Sequence, residues 1–232
     1  MKYMGSKNRI AKHILPIMLK DRKEGQYWVE PFVGGANMID KVAGNRIGGD
    51  LNPYLIEALI AIRDCLCELP RNNREFTESD YKELRKSDNY QYKGYAGFAF
   101  SYSGKWLGGW CRDKEQKRDY VQESYKNALN QNPKLKGIKL VESSYQDLVI
   151  PPNSRIYCDP PYKGATEYKD KFNHDDFWQW CRDKEAEGHK VYISEYNAPE
   201  DFRCIWEKEI VSSLTKNTGS KRGIERLYEY CG

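Results

Sequence analysis

Three short strand-like segments in this chain each lead into a loop suited to binding, and this arrangement constrains the fold most. Residues 27–29 run into a loop that contains Gly34 and Gly35, residues 46–49 end at Asp50, and residues 155–158 end at Asp159. The first strand predicts a strand-to-loop-to-helix transition, and helical periodicity follows the second strand. Alternation of strands and helices predicts an α/β sheet, and such sheets bind ligands outside the carboxyl ends of their strands. The two carboxylates and the glycine loop are therefore expected to meet at one site.

The remaining elements fit the same architecture. Residues 9–20 carry one apolar stripe and predict a first helix, and Asn52 followed by Pro53 is typical of a helix N-terminus. Residues 138–141 and 191–193 predict further strands, and residues 175–187 predict a helix before Gly188. Residues 209–214 and 225–230 indicate an antiparallel hairpin at the end of the sheet.

The middle of the sequence differs from its flanks and predicts an insert. Residues 60–140 hold 16 Lys and Arg against 11 Asp and Glu, although the whole chain has a net charge of only +4. Residues 90–110 add a concentration of tyrosine, phenylalanine and tryptophan. Basic and aromatic side chains together suit a nucleic-acid surface, while the aromatic residues could equally form the core of a small lobe. We expect a catalytic domain of residues 1–66 and 138–232, interrupted by a mainly helical insert of residues 67–137.

Composition argues against several classes of protein. Apolar residues make up 39% of the chain, and their unbroken runs fall far short of the roughly 20 residues that cross a bilayer. No apolar segment follows the basic start, so a secretory signal is not expected. The seven cysteines form no C-x-x-C pair, and only three histidines are present. We expect a cytoplasmic protein with reduced thiols and no metal site.

Asp159-Pro160-Pro161-Tyr162 is the most specific chemical signal in the sequence. Two prolines fix the backbone and remove two N–H donors, which leaves carbonyl groups free to accept hydrogen bonds. A carboxylate and a carbonyl can together hold an exocyclic amino group, and the tyrosine offers a flat face to the ring that bears it. The motif predicts recognition of a planar aromatic amine. Asp50 could likewise accept from the hydroxyls of a ribose, although the glycine pair alone is also common in plain turns.

These motifs, in this order, resemble the Dam-like (class alpha, D12) DNA adenine methyltransferases. The resemblance rests on residues 3–7 (YMGSK), 30–36 (EPFVGGA), 49–56 (GDLNPYLI) and 159–162 (DPPY), and it extends over nearly the whole chain. It implies a Rossmann-like methyltransferase fold with an inserted target-recognition lobe. It also implies S-adenosylmethionine as cofactor and the exocyclic N6 of adenine as acceptor.

The resemblance further implies roles for individual residues. Catalysis is expected at the DPPY motif, with Tyr162 stacking on the target base and Phe172 as a candidate for the opposite wall. The cofactor-binding residues are expected to be Tyr3, Lys7, Glu30, Pro31, Phe32, Gly34, Gly35, Ala36, Asp50, Tyr145 and Asp159. Tyr145 and Phe172 could equally belong to the core.

Double-stranded DNA is the expected partner, because the insert is basic and an adenine must leave the duplex to reach such a pocket. The candidate DNA-binding residues are Lys93, Lys105, Arg112, Lys114, Lys117, Arg118, Lys216, Lys221 and Arg222. The compact length and divergent insert are similar to orphan methylases of phages and prophages, which implies a monomer acting in a bacterial or phage-infected cell. An RNA or protein methyltransferase, and a catalytically idle DNA-binding regulator, remain alternatives. A nucleophilic Cys158 is disfavoured, since a buried thiol beside a carboxylate has a raised pKa.

Overall fold

A computed structural model describes residues 1–87, 90–113, 115, 117–162, 172–211 and 222–232 of the chain. The strands of this described part are β1 (Trp28–Glu30), β2 (Arg46–Asp50), β3 (Ile138–Glu142), β4 (Arg155–Cys158), β5 (Lys190–Glu195), β6 (Phe202–Val211) and β7 (Arg222–Tyr230). Its α-helices are α1 (Ala11–Leu19), α2 (Pro53–Asp64), α3 (Glu78–Leu84), α4 (Lys93–Ala99), α5 (Tyr120–Leu135) and α6 (His174–Ala186).

All seven strands form one mixed sheet in the order β3-β2-β1-β4-β5-β7-β6. The first five strands pair in parallel, whereas β7 lies antiparallel between β5 and β6. This doubly wound order confirms the predicted Rossmann-like α/β fold and its terminal hairpin. The hairpin strand β6 begins at Phe202, seven residues earlier than predicted from the sequence. A shift of register between Cys204 and Trp206 breaks the alternation of its side chains, which hides the first half of this strand from a period-two pattern.

Apolar side chains leave the sheet on both faces, since successive residues of a strand point in opposite directions. Trp28 and Tyr157 belong to a core shared with α1 and α2, whereas their neighbours Val29 and Ile156 belong to a second core shared with α6. Helices therefore cover both faces of the sheet. The carboxyl ends of the parallel strands are left to carry the site.

Local capping sets the start of the helices that pack on the sheet. The side chain of Asn52 accepts from the backbone N–H groups of Tyr54 and Leu55, and Pro53 occupies the first turn of α2, as the sequence predicts. Asn173 caps α6 in the same way. These caps satisfy backbone donors that would otherwise lack partners.

The predicted insert is helical, with α3, α4 and α5 inside residues 67–137. Helices α4 and α5 pack on α2 and α3 packs on α4, and residues such as Phe98 and Val121 lie in the same apolar core as α1 and α2. The basic and aromatic segment is therefore joined to the sheet through a common interior. The proposed boundaries of the lobe stay a prediction.

Among the described residues, no helix combines the length and the apolar character needed to span a bilayer. All seven cysteines are free thiols. The described part also contains no group of three or more His, Cys, Asp or Glu side chains placed to hold a metal ion.

Close packing of α4 on α2 predicts that Gly94→Ala destabilises the protein. A Cβ at Gly94 would lie 2.0 Å from the carbonyl oxygen of Tyr54. We expect the free energy of unfolding in urea to fall by about 1–3 kcal/mol, because the two helices would have to separate. Gly223→Ala is the matched control, since a Cβ there meets no described atom within 4 Å. Equal stabilities of the two variants would contradict this account.

Candidate active site

The site lies where the strand order reverses. From β1 the chain moves outward to β2 and β3, then returns to place β4 on the other side of β1. The loops that follow β1 and β4 therefore flank one crevice at the carboxyl edge of the sheet. The structure brings the glycine loop, Asp50 and Asp159 to this edge, as the sequence predicts.

Asp50 anchors the glycine loop. Its carboxylate accepts from the backbone N–H of Gly34 at 3.1 Å and from that of Asn52 at 3.0 Å. Burial raises the pKa of Asp50 to about 6, although these two donors act in the opposite direction. The loop needs its glycines: a Cβ at Gly35 would lie 2.7 Å from the Cβ of Tyr3, and Gly34 has a φ of +50°.

The N-terminal segment divides its two predicted site residues between two parts of the crevice. Tyr3 covers the glycine loop, since a Cβ at Gly34 would lie 3.0 Å from Cε1 of its ring. Its ring also packs against Phe98 of α4, with ring centroids 5.8 Å apart. Lys7 instead points its ammonium at Asp159. One short segment thus contacts the glycine loop, the insert and the DPPY motif.

Asp159 is paired with Lys7. Nζ of Lys7 lies 3.0 Å from Oδ1 of Asp159 and 3.7 Å from Oε2 of Glu225. Burial raises the pKa of Asp159, and the Lys7 charge opposes that shift. Burial lowers the pKa of Lys7, but the two carboxylates outweigh it and the net shift is upward. Apart from this charge contact, Oδ1 of Asp159 has no hydrogen-bond donor among the described residues.

Tyr162 is held from three sides. Its hydroxyl donates to Oε2 of Glu225 at 2.9 Å, and the Lys7 ammonium lies 4.5 Å from the centre of its ring. The ring of Tyr196, which follows β5, meets it edge to face at 4.6 Å. Burial, followed by the charges of Asp159 and Glu225, keeps the pKa of Tyr162 well above its usual range. Pro160 is buried beside it, and Pro161 is partly buried.

The other predicted cofactor residues separate into two environments. Glu30 is buried and accepts from the indole N–H of Trp28 at 2.8 Å, and burial keeps the pKa of Glu30 well above its usual range. Phe32 lies in an aromatic cluster, with ring centroids 5.4 Å from Tyr145 and 5.9 Å from Phe172. Pro31 and Ala36 are buried within the loop itself.

Phe172 makes the core contacts that the sequence left open as an alternative, and its place opposite Tyr162 stays a prediction. It packs against Phe32 and Tyr145, which belong to the predicted cofactor side, whereas the aromatic contact of Tyr162 is Tyr196. Tyr196 and Glu225 were missed. Tyr196 directly follows β5, and this position at a strand end, which Asp50 and Asp159 share, was the sequence signal that could have identified it. Glu225 has no comparable signal, because its contact depends on where β7 lies in the sheet.

The predicted DNA-binding residues differ in their surroundings. Lys93 is a correction, because its side chain is buried and its ammonium donates to the backbone carbonyl of Ser87, so it does not face solvent. Lys105 is exposed. Three others are exposed and engaged with carboxylates, in the pairs Arg112–Glu78, Lys117–Glu115 and Arg118–Glu123. Lys114, Lys216 and Lys221 lie outside the described residues, and only the backbone of Arg222 is described, at the start of β7.

Solved structures resemble this chain at low sequence identity. The yhhF protein of Escherichia coli, a candidate methyltransferase, is 11% identical with a TM-score of 0.43, covering 98% of this chain and 88% of its own. A candidate RNA methyltransferase, PH1948 of Pyrococcus horikoshii, is 13% identical with a TM-score of 0.47, covering 99% and 85%. SMU.472, a candidate methyltransferase complexed with SAH, is 10% identical with a TM-score of 0.36, covering 97% and 52%.

Sequence comparison identifies the family. The curated proteins gave no significant match to this chain. Residues 3–129, more than half of the chain, match the sequence model of the D12 class N6 adenine-specific DNA methyltransferases. The matched range contains the YMGSK segment, the glycine loop and Asp50, which the structure gathers around one crevice. The chain belongs to the D12 class of N6 adenine-specific DNA methyltransferases.

Proposed function

We propose that this protein transfers the methyl group of S-adenosylmethionine to the N6 of an adenine flipped out of double-stranded DNA. The observation that carries the proposal is the position of Asp159 and Tyr162 at the crevice that also holds Asp50 and the glycine loop. An acceptor for an exocyclic amine and a site for an adenosine-type ligand are thereby adjacent. We further propose that it acts as a monomer on cytoplasmic DNA.

The residues of the crevice fit the proposed cofactor. Asp50 supplies a carboxylate for the ribose hydroxyls, and Gly34 and Gly35 let the backbone approach a ligand closely. The aromatic cluster around Phe32 and Tyr145 offers flat apolar surfaces beside them. When bound, S-adenosylmethionine would supply an electrophilic methyl group on a sulfonium.

Asp159 and Pro160 would activate the target amine. The N6 lone pair of adenine is delocalised into the ring and is a poor nucleophile. Hydrogen bonds from N6 to the Asp159 carboxylate and the Pro160 carbonyl would localise that lone pair and orient it for in-line attack. Oδ1 of Asp159 is a buried atom that faces the Lys7 ammonium at 3.0 Å, and a carboxylate oxygen has a second lone pair with which it can accept a substrate N–H. Positioning of this kind can contribute about 7–11 kcal/mol to lowering a barrier.

Tyr162 would hold the flipped base. The Lys7 ammonium covers one face of its ring, so a stacked adenine would use the opposite face. Base flipping costs a few kcal/mol, which contacts between the insert and the DNA would offset. A covalent route through Cys158 is unfavourable, because burial keeps the pKa of this thiol well above its usual range.

Asp159→Ala tests the reaction directly. Wild-type protein incubated with unmethylated double-stranded DNA and S-adenosylmethionine should yield N6-methyladenine by nucleoside mass spectrometry. The variant should lose at least about a hundredfold in rate, because N6 loses its principal acceptor. Asp183→Ala, an exposed carboxylate on α6, is the control and should retain activity. A wild-type protein that methylates none of a set of DNAs while binding the cofactor would refute the function.

The pKa of Asp50, raised by burial to about 6, predicts pH-dependent cofactor binding. Ribose hydroxyls need the ionised carboxylate as acceptor. Affinity should therefore be constant above about pH 6 and fall by up to about tenfold for each pH unit below it. Calorimetric titration between pH 5 and 8 measures this dependence. Asp50→Asn should bind the cofactor more weakly across this pH range, and its affinity should no longer depend on pH. If the affinity of the variant still falls at low pH, a group other than Asp50 is responsible for the pH dependence.

Lys105→Glu should weaken DNA binding. Lys105 is an exposed candidate of the insert, and the adjacent Gly104 packs against Lys2 and Tyr3 of the N-terminal segment. Loss of one phosphate contact should reduce the slope of log affinity against log salt by about one. Lys23→Glu makes the same charge change before β1, at the opposite edge of the sheet, and should leave DNA affinity near the wild-type value. If Lys105→Glu and Lys23→Glu lowered DNA affinity equally, the effect would come from the net charge of the protein and not from a phosphate contact of Lys105.

A further inference from the structure

Glu225 is a member of the Asp159 cluster that no sequence motif contains. It lies on β7, opposite Lys208 of β6, and its side chain is only 17% exposed. One of its oxygens, Oε2, accepts from the Tyr162 hydroxyl at 2.9 Å and lies 3.7 Å from the Lys7 ammonium. A single carboxylate oxygen therefore contacts both groups that surround Asp159.

We propose that Glu225 is a positioning residue for methyl transfer, which fixes Tyr162 and serves as a second counter-charge for Lys7. Its charge keeps the Lys7 ammonium in place when Asp159 takes up the proton released from N6. This role rests on the function proposed above.

The charge balance of the reaction creates the need for such a group. N6 forms a bond to the methyl carbon as the carbon–sulfur bond breaks, and the sulfonium becomes a neutral thioether. The methylated nitrogen is then cationic. One N–H bond breaks, its electron pair stays on nitrogen, and the proton forms an O–H bond with Asp159. The Asp159 carboxyl is now neutral and no longer balances Lys7.

Glu225 removes the penalty of that step. Before proton uptake, the buried group of Lys7, Asp159 and Glu225 carries two negative charges and one positive charge. Afterwards Lys7 and Glu225 form a neutral pair. Without Glu225, proton uptake would leave the largely buried Lys7 ammonium without a counter-charge, which is unfavourable. In agreement with this arrangement, the charge of Glu225 raises the pKa of both Asp159 and Lys7.

Three other titratable groups near this cluster do not supply the same charge. The hydroxyl groups of Tyr157 and Ser194 share a hydrogen bond of 2.8 Å, and burial keeps the pKa of Tyr157 well above its usual range. Burial likewise raises the pKa of Tyr196. Glu30 points toward Trp28, and burial raises its pKa too. Within the described residues, Glu225 is thus the carboxylate besides Asp159 that forms an ion pair with Lys7.

Glu225→Gln separates the charge from the hydrogen bond. A glutamine oxygen can still accept from the Tyr162 hydroxyl, so a purely structural role would leave activity close to wild type. We expect kcat to fall by about tenfold or more, with little change in KM for the cofactor. The acid limb of the kcat profile should move to lower pH, because the pKa of Asp159 falls when the neighbouring charge is removed. Full activity with an unchanged profile would overturn the proposal.

Two further variants complete the comparison. Glu225→Asp restores the charge and should recover part of the lost kcat. Glu207→Gln removes an exposed carboxylate from β6 that pairs with Arg226, and it should behave as wild type. If Glu225→Gln does not fold, Glu225→Asp carries the test, since its shorter carboxylate lies farther from Lys7 and should produce a smaller shift of the acid limb in the same direction.

A titration of Lys7 tests the charge contact without methyl transfer. Lysines labelled with ¹³C at Cε can be followed by NMR, and Lys7 is assigned by the signal lost in Lys7→Arg. The pKa of Lys7 should be lower in Glu225→Gln than in wild type. An unchanged pKa would overturn the proposal. If the pKa of Lys7 is lower in Glu225→Gln but the wild-type protein methylates no DNA, the proposed function is refuted and the charge contact between Glu225 and Lys7 stands.

Discussion

Parallel pairing of β1 with β4 is the constraint on which the site depends. The two strands are neighbours in the sheet but far apart in the chain, so the loops after them flank one crevice. The glycine loop and the DPPY motif become adjacent for this reason alone. Any sequence that preserved both motifs but lost this pairing would separate the two halves of the site.

Two buried carboxylates at this edge differ in what surrounds them. Asp50 is held by backbone N–H groups of the loops beside it, which fix its geometry but add no full charge. Asp159 faces a lysine ammonium and a second carboxylate. Neutral donors suit a carboxylate that binds hydroxyl groups and is ionised above a pKa of about 6. Charged neighbours suit a carboxylate that exchanges a proton, because a nearby ammonium and a second carboxylate can balance each other when the first carboxylate becomes neutral.

Local sequence signals predicted the features that local interactions create. The carboxyl ends of β2 and β4 and the Asn52 cap depend on neighbouring residues, and the structure has them within one residue of where the sequence indicated. The bounds of α5 within the predicted helical insert were not predicted, because its exposed positions are polar along most of its length and only residues such as Val121 and Leu135 mark the buried side. The burial of Lys93 and the contact of Glu225 with Tyr162 depend on partners distant in the chain. No period or motif could reveal them.

The position of Tyr3 links parts of the protein that otherwise have separate tasks. Its ring covers Gly34, and the backbone beside it supports Gly104, where a Cβ would lie 2.8 Å from the carbonyl group of Lys2. A displacement of this segment at the glycine loop would therefore also change its contact with Gly104 of the insert. Thermodynamic reciprocity then requires that, if a ligand of the glycine loop alters affinity at the insert, a ligand of the insert alters affinity at the loop by the same factor. The glycine loop and the insert thus rest on one shared segment.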